Sequence, residues 1–225
     1  NSIMSIGFFV TGTDTNIGKT LVSCSLIHAF AKTGRSVAGM KPIAAGCENG
    51  RWLDIDQLSA ASTRQFDCDV LNSYRLMAPV VPQIAANYEA IDIDIAVIEQ
   101  AFHAVYKTVD IVVVEGVGGF VVPLTSQTDT SDLAVALNLP IIMVVGLRLG
   151  CLNHALLTAE AIRARRLSLA GWVANTVDPQ MDDITGNIEL LRYKLKCPLI
   201  GILPYNPHIN ARAFADLLDI NALLM

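Results

Sequence analysis

Gly12-Thr13-Asp14-Thr15-Asn16-Ile17-Gly18-Lys19-Thr20 is the strongest local signal in the chain. It follows the apolar run Gly7-Phe8-Phe9-Val10-Thr11 and leads into Leu21 and Val22. Strand, glycine loop and apolar helix, in that order, form the context a phosphate-binding loop requires. Such a loop turns successive backbone N–H groups inward, and the helix start adds partial positive charge. Lys19 is placed to reach the β- and γ-phosphates of a nucleotide, and the Thr20 hydroxyl to join an Mg²⁺ shell. Five residues, rather than the usual four, separate Gly12 from Gly18.

Outward from this loop, β-branched apolar runs recur at 6–11, 36–41, 110–115, 140–145, 169–175 and 199–203. They are continuous rather than alternating, as in strands covered on both faces. Helical patterns lie between and after them, near 18–33, 54–65, 94–107, 129–138, 153–166, 182–195 and 210–219. This alternation predicts an α/β, P-loop NTPase-like fold: a mostly parallel central sheet with helices on both faces and right-handed crossovers. The Pro-containing stretch 77–82 reads as a loop or turn, and no linker is evident, so a single domain over 1–225 is expected. Residues 1–3 precede Met4 and read as an addition to the chain's own start.

The chain has 225 residues, 52% of them hydrophobic and 16% charged, too apolar for disorder and long enough for a substantial core. Its net charge of −5 argues against nonspecific nucleic-acid binding, which relies on a basic surface. The cysteines (Cys24, Cys47, Cys68, Cys151, Cys197) are odd in number and include no CxxC pair, and the histidines show no metal-binding spacing. Reduced thiols are therefore expected, not a disulfide or zinc framework. No apolar run reaches the ~20 residues of a membrane span, and the N-terminus lacks a signal peptide's basic region and cleavage site. A cytoplasmic protein without membrane or nucleic-acid partners is expected.

A nucleotide site needs acids for its metal, because Mg²⁺ takes oxygen ligands that include one or two carboxylates. Glu115 ends the apolar run Val112-Val113-Val114 and releases into Gly116-Val117-Gly118-Gly119. It falls at the carboxyl end of a strand, where ligands bind in open α/β sheets. Asp54 and Asp56 are further candidates, each open to the alternative of capping a helix. Lys41, before Pro42, ends the second predicted strand and is placed to neutralise a transferring phosphoryl group.

Together the segments VTGTDTNIGKT, GMKPIAAG, VVVEGVGGF, VVGLRLGCLNHALLT, LAGWVANTV and GILP, running in order from about residue 8 to 205, resemble the dethiobiotin synthetases. The resemblance implies an ATP- and Mg²⁺-dependent ligase of biotin synthesis. Such an enzyme adds CO₂ (or bicarbonate-derived CO₂) across the two amines of 7,8-diaminononanoate, giving dethiobiotin, ADP and phosphate. It also implies a homodimer with substrate near the subunit interface. Switch ATPases of the partitioning and division-site kind share the loop, but they typically carry an extra lysine early in it, where this chain reads Thr13-Asp14-Thr15.

Carried over by motif, Lys19 and Lys41 are the implied catalytic lysines, and Thr20, Asp56 and Glu115 the implied Mg²⁺ ligands. Asp56 matches the pattern better than Asp54 because Asp-x-Leu follows it at Asp56-Gln57-Leu58. The implied ATP contacts are Asn16, Ile17, Gly18, Lys19, Thr20 and Leu21, then Asp56, Glu115, Gly116, Val117 and Gly118. Asn175 and Thr176 at the adenine edge follow, with Pro204, Tyr205 and Asn206 flanking the base. The implied substrate contacts are Thr15, Lys41, Ala45 and Gly118, with Gly150, Cys151 and Asn153 at a helix start suited to a carboxylate. The Cys151 side chain itself reads as packing. The chain departs from the family twice: Asn16 stands where a glutamate is common, and Ala45 where a serine is common.

Overall fold

The computed structural model describes residues 5–224, so the proposed addition at residues 1–3 lies outside the described residues. The chain runs β1 (Ile6–Gly12), α1 (Lys19–Ala31), β2 (Val37–Met40), β3 (Ile43–Ala45), α2 (Leu53–Ala61) and α3 (Cys68–Leu71). It continues through β4 (Tyr74–Leu76), α4 (Pro82–Glu89), α5 (Ile95–Tyr106), β5 (Ile111–Glu115), α6 (Thr130–Leu137) and β6 (Ile141–Leu147). Next come α7 (Cys151–Ala164), β7 (Leu169–Thr176), α8 (Ile184–Leu195), β8 (Leu199–Leu203), α9 (Ala211–Phe214) and α10 (Asn221–Leu224). The main sheet has the order β2-β5-β1-β6-β7-β8, and every pairing in it is parallel.

Alternate residues of β1 explain why its sequence is apolar throughout. Phe8 and Val10 pack toward α1 with Val22, Leu26 and Phe30, and the Phe8 and Phe30 rings stack at 5.4 Å. Phe9 points the other way, with Val112 and Val114 against Phe102 of α5 and Leu133 of α6. Each face thus takes every second side chain, and burial on both leaves no polar positions. Farther along the sheet, Trp172 of β7 packs with Ala155 of α7 and Leu191 of α8.

The structure refines the sequence reading at element ends. The expected 54–65 helix stops at Ala61, because extended Ser62 and Thr63 bond back to β2, with the Ser62 hydroxyl accepting from Gly39 N–H at 2.9 Å. The expected 210–219 helix is only α9 followed by a tight 3₁₀ turn at Ala215–Leu217. Residues 77–81 form a loop, but Pro82 opens α4, its missing N–H harmless at a helix start. The two-stranded parallel pair of β3 and β4 had no distinct periodic signal. All five cysteines are free, and no helix among the described residues is long and apolar enough to cross a membrane.

Candidate active site

β1 ends at Gly12, and the loop that follows wraps around the buried side chain of Ile17. A Cβ at Gly146 of β6 would lie 2.5 Å from Ile17, and one at Gly12 would lie 2.8 Å from it. Two glycines therefore make the seat for this side chain. Asn175, at the end of β7, donates from Nδ2 to the Ile17 carbonyl at 2.8 Å. Gly18 adopts φ +87°, and a Cβ there would meet Asn175 Nδ2 at 2.3 Å, so both dihedral and space demand glycine. Asn16 sits at φ 54°, a conformation that asparagine tolerates better than most residues. α1 has no side-chain N-cap, leaving its first N–H groups available to an anion.

Facing this helix start, Lys41 follows β2 and is 5% exposed. Its main chain is held from both sides: its N–H donates to Leu71 O, and its carbonyl accepts from Asn72 Nδ2. Its ammonium donates to Glu115 Oε1 at 2.6 Å and pairs with Asp54 Oδ2 at 2.8 Å. Thr20 Oγ1 donates to the same Glu115 oxygen at 2.8 Å. The other oxygen, Glu115 Oε2, is buried without a partner. Lys19 donates to the carbonyl of Asp14 at 2.9 Å.

The charges reinforce these positions. Burial works to lower the Lys41 pKa, but the Glu115 and Asp54 carboxylates outweigh it and hold the ammonium above its ordinary value. Burial works to raise the Asp54 pKa, yet Lys41 keeps it below the usual carboxylate range, with Thr20 and Lys19 contributing. Lys19 goes the other way. Burial first and repulsion from Lys41 second bring it to about 8, with partial compensation from Glu115, Asp54 and Asp14.

Two confluent cavities open here. One of about 380 Å³ is lined by Gly18, Lys19, Thr20, Lys41, Asp54 and Glu115. The other, about 690 Å³, runs from Asp14, Thr15 and Asn16 toward Trp52, Val80 and Pro82. Thr15, Asn16, Ala45, Asp54, Val117 and Gly118 border both. The structure thus brings together Lys19, Thr20, Lys41, Glu115, Thr15, Ala45 and Gly118. Gly116 offers its carbonyl to Lys41 at 3.4 Å, while Leu21 lies one residue farther along α1.

Asp56 is not at this centre: Arg51 Nε donates to its Oδ2 at 2.8 Å on the surface, while Asp54 occupies the place against Lys41. Residues two apart on a helix diverge by about 200°, so only one of them faces the cavity. Gly150, Cys151 and Asn153 are likewise placed apart from this centre. In this chain none of them lines either cavity. Gly150 and Asn153 are exposed, and Cys151 is buried against Met143 and Ala155. Thr176, Pro204, Tyr205 and Asn206 stand at the ends of the paired strands β7 and β8, beside Asn175 rather than within the cavities. The apolar wall of Trp52, Val80 and Pro82 escaped the sequence reading, because these residues come from segments with no motif.

A family model described as an AAA domain matches residues 7–213. A protein from Nitrosospira multiformis named ATP-dependent dethiobiotin synthetase BioD is 54% identical over 217 residues, 96% of each chain. This chain belongs to the dethiobiotin synthetase family. Two further proteins of that name agree: one from Aromatoleum aromaticum, 54% identical over 88% of this chain and 90% of its own, and one from Xanthomonas axonopodis pv. citri, 47% identical over 95% and 97%. Among solved structures, the MinD cell division protein of Aquifex aeolicus superposes with a TM-score of 0.58 at 18% identity, covering 95% of this chain and 85% of its own. A ParA family ATPase from Chlorobium tepidum gives 0.54 at 13% identity, covering 90% and 86%. At such identities these two share the fold alone with the dethiobiotin synthetase family member described here.

Proposed function

We infer that this chain is an ATP-dependent ligase that closes the cyclic urea of dethiobiotin from 7,8-diaminononanoate and CO₂. The observation that carries the reading is the buried Lys41 ammonium, held between Glu115 and Asp54 where the phosphate loop meets the larger cleft. One amine of the diamine takes up CO₂ as a carbamate and loses a proton. A carbamate oxygen then attacks the γ-phosphorus, the bond to ADP breaks, and a carbamic–phosphoric anhydride forms. The second amine attacks the carbamoyl carbon, phosphate leaves with the bonding pair, and the ring closes.

Two anions, carbamate and γ-phosphate, must meet in this sequence, so the barrier is largely electrostatic and entropic. Lys41 holds its proton firmly, which suits a fixed positive charge and not a base. Lys19, released from the Asp14 carbonyl, neutralises the β- and γ-phosphates. Asn175 keeps its carbonyl oxygen for the adenine edge while its amide secures the loop, with Thr176 and Pro204-Tyr205-Asn206 beside it. The wall of Trp52, Val80 and Pro82 suits the alkyl chain of the diamine. Ala45 offers no hydroxyl there, leaving backbone groups to orient the reacting amines.

The residues fit Mg²⁺. The unpartnered Glu115 Oε2, the Thr20 hydroxyl and the Asp54 carboxylate supply hard oxygen donors. No cluster of three acid, histidine or cysteine side chains exists among the described residues; a metal that keeps waters and phosphate oxygens needs none. Mg²⁺, when bound, offsets phosphate charge during transfer. Gly150, Cys151 and Asn153 line neither cavity of their own chain, so their contact with the substrate carboxylate is assigned across a homodimer. A cytoplasmic location completes the reading.

The test is phosphate release from Mg·ATP and bicarbonate with and without the diamine, with product mass read in parallel. Diamine-dependent release with dethiobiotin formed is expected. ATP binding without diamine dependence would move the chain to a nucleotide-binding paralogue or a switch ATPase.

A further inference from the structure

Asp14 is an awkward residue for a phosphate-binding loop, because a carboxylate there opposes the polyphosphate it should admit. Its geometry shows why it stays. Asp14 Oδ1 accepts the Thr15 N–H at 2.7 Å, closing the tip of the loop, and its main-chain carbonyl accepts from Lys19 Nζ at 2.9 Å. The side chain is therefore a structural part of the loop whose charge works against the ligand. Its second oxygen is ion-paired with Arg148 Nη2.

Arg148 comes from the turn between β6 and α7, where its own carbonyl accepts from Cys151 N–H at 3.0 Å. It makes no other ion pair among the described residues. The Asp14 side chain is 37% exposed and that of Arg148 43%, so the pair adds little to global stability. Its effect is local: it removes a negative charge from the rim of the cleft lined by Asp14, Thr15 and Asn16.

We propose that Arg148 is a positioning residue for nucleotide binding: it neutralises Asp14, so that this carboxylate can hold the tip of the phosphate loop without repelling the phosphates of ATP. The proposal rests on the reading of the loop as a nucleotide site.

The test is calorimetric affinity for the Mg²⁺ complex of β,γ-imido-ATP in low salt, with thermal midpoints measured alongside. Arg148→Gln is expected to weaken binding about tenfold, while Arg148→Lys stays within about threefold of the parent. Asp14→Asn keeps the acceptor for Thr15 and removes the charge, so Asp14→Asn/Arg148→Gln is expected to recover to within about threefold. At about 0.5 M salt the gap between Arg148→Gln and the parent should narrow, because screening at that strength reaches only a few ångströms. A merely structural role would leave the double variant as weak as Arg148→Gln or weaker, and that result overturns the proposal. So does an Arg148→Gln affinity within about twofold of the parent in low salt. A parent protein that binds no Mg·nucleotide would overturn the nucleotide reading as well. A parent that binds it yet forms no dethiobiotin would sink the ligase assignment alone.

Discussion

Lys41→Met tests both the stability and the chemistry of the centre. The substitution keeps an unbranched side chain one atom shorter and deletes the cation. Glu115, 1% exposed, then loses the one cationic contact it makes among the described residues and keeps there the Thr20 hydroxyl. Asp54 is half-exposed and can turn to water, so its share of the penalty is small. Removing one partner of a buried ion pair costs about 3–5 kcal/mol, and one well-buried carboxylate puts this case at the lower end, about 3 kcal/mol. At about 2–4 °C per kcal/mol for a chain of this size, the midpoint falls by about 6–12 °C. With typical stabilities of about 5–15 kcal/mol, the variant remains folded at 25 °C.

The pH dependence has a definite sign. Lys41 is raised, so its contribution is present below the ordinary lysine value and lost as pH rises through the folded-state value. Asp54 is lowered, so its contribution is present above the ordinary carboxylate value and lost as pH falls through the folded-state value. The part of the gap that comes from the pair therefore shrinks below about pH 4, as Asp54 gains its proton, and above about pH 10, as Lys41 loses its own. Lys41→Met/Glu115→Gln should restore much of the midpoint, because it removes the stranded charge. Neither variant should close the ring at more than about 1% of the parent rate, the usual scale for losing one electrostatic contact to a transition state. The assay is thermal unfolding by circular dichroism without nucleotide, beside diamine-dependent phosphate release. A Lys41→Met midpoint within about 2 °C of the parent at pH 7.5 would refute the account of the pair, and near-normal turnover would remove Lys41 from the chemistry.

Two more outcomes follow from the same centre. Asp54→Asn should lower diamine-dependent turnover at fixed Mg²⁺ by about tenfold or more, whereas Asp56→Asn, on the surface beside Arg51, should stay within about twofold; equal losses would refute the assignment of Asp54 to the centre. Lys19, lowered to about 8, is partly neutral in the nucleotide-free protein at pH 8 and becomes fully charged against phosphate. Mg·ATP binding at pH 8 should therefore take up protons, read as a dependence of the calorimetric heat on buffer ionisation enthalpy that fades toward pH 6.

Much of this protein was legible in one dimension, and the reason is local physics. β1, the loop after it and α1 are adjacent in the chain, so apolar continuity, glycine and Lys19-Thr20 announce strand, loop and helix together. Glu115 was readable for the same reason: a carboxylate that ends an apolar strand stands out against Val112-Val113-Val114. The short pair of β3 and β4 was not, because strands of three residues hold too few side chains to show a period.

The order of residues along the chain supplies the set of parts: a doubly covered parallel sheet, a phosphate loop, a lysine and an acid at strand ends, and motifs that assign the family. Tertiary structure decided which parts meet. Asp54 and Asp56 are equivalent in composition, and only the angle at which α2 docks beside α1 turns one toward Lys41 and the other toward Arg51. Asn175 reaches Ile17 across 158 positions, and Arg148 reaches Asp14 across 134. Contacts of that span arise when β6 and β7 line up beside β1, because packing the apolar faces of the sheet brings their polar ends into register.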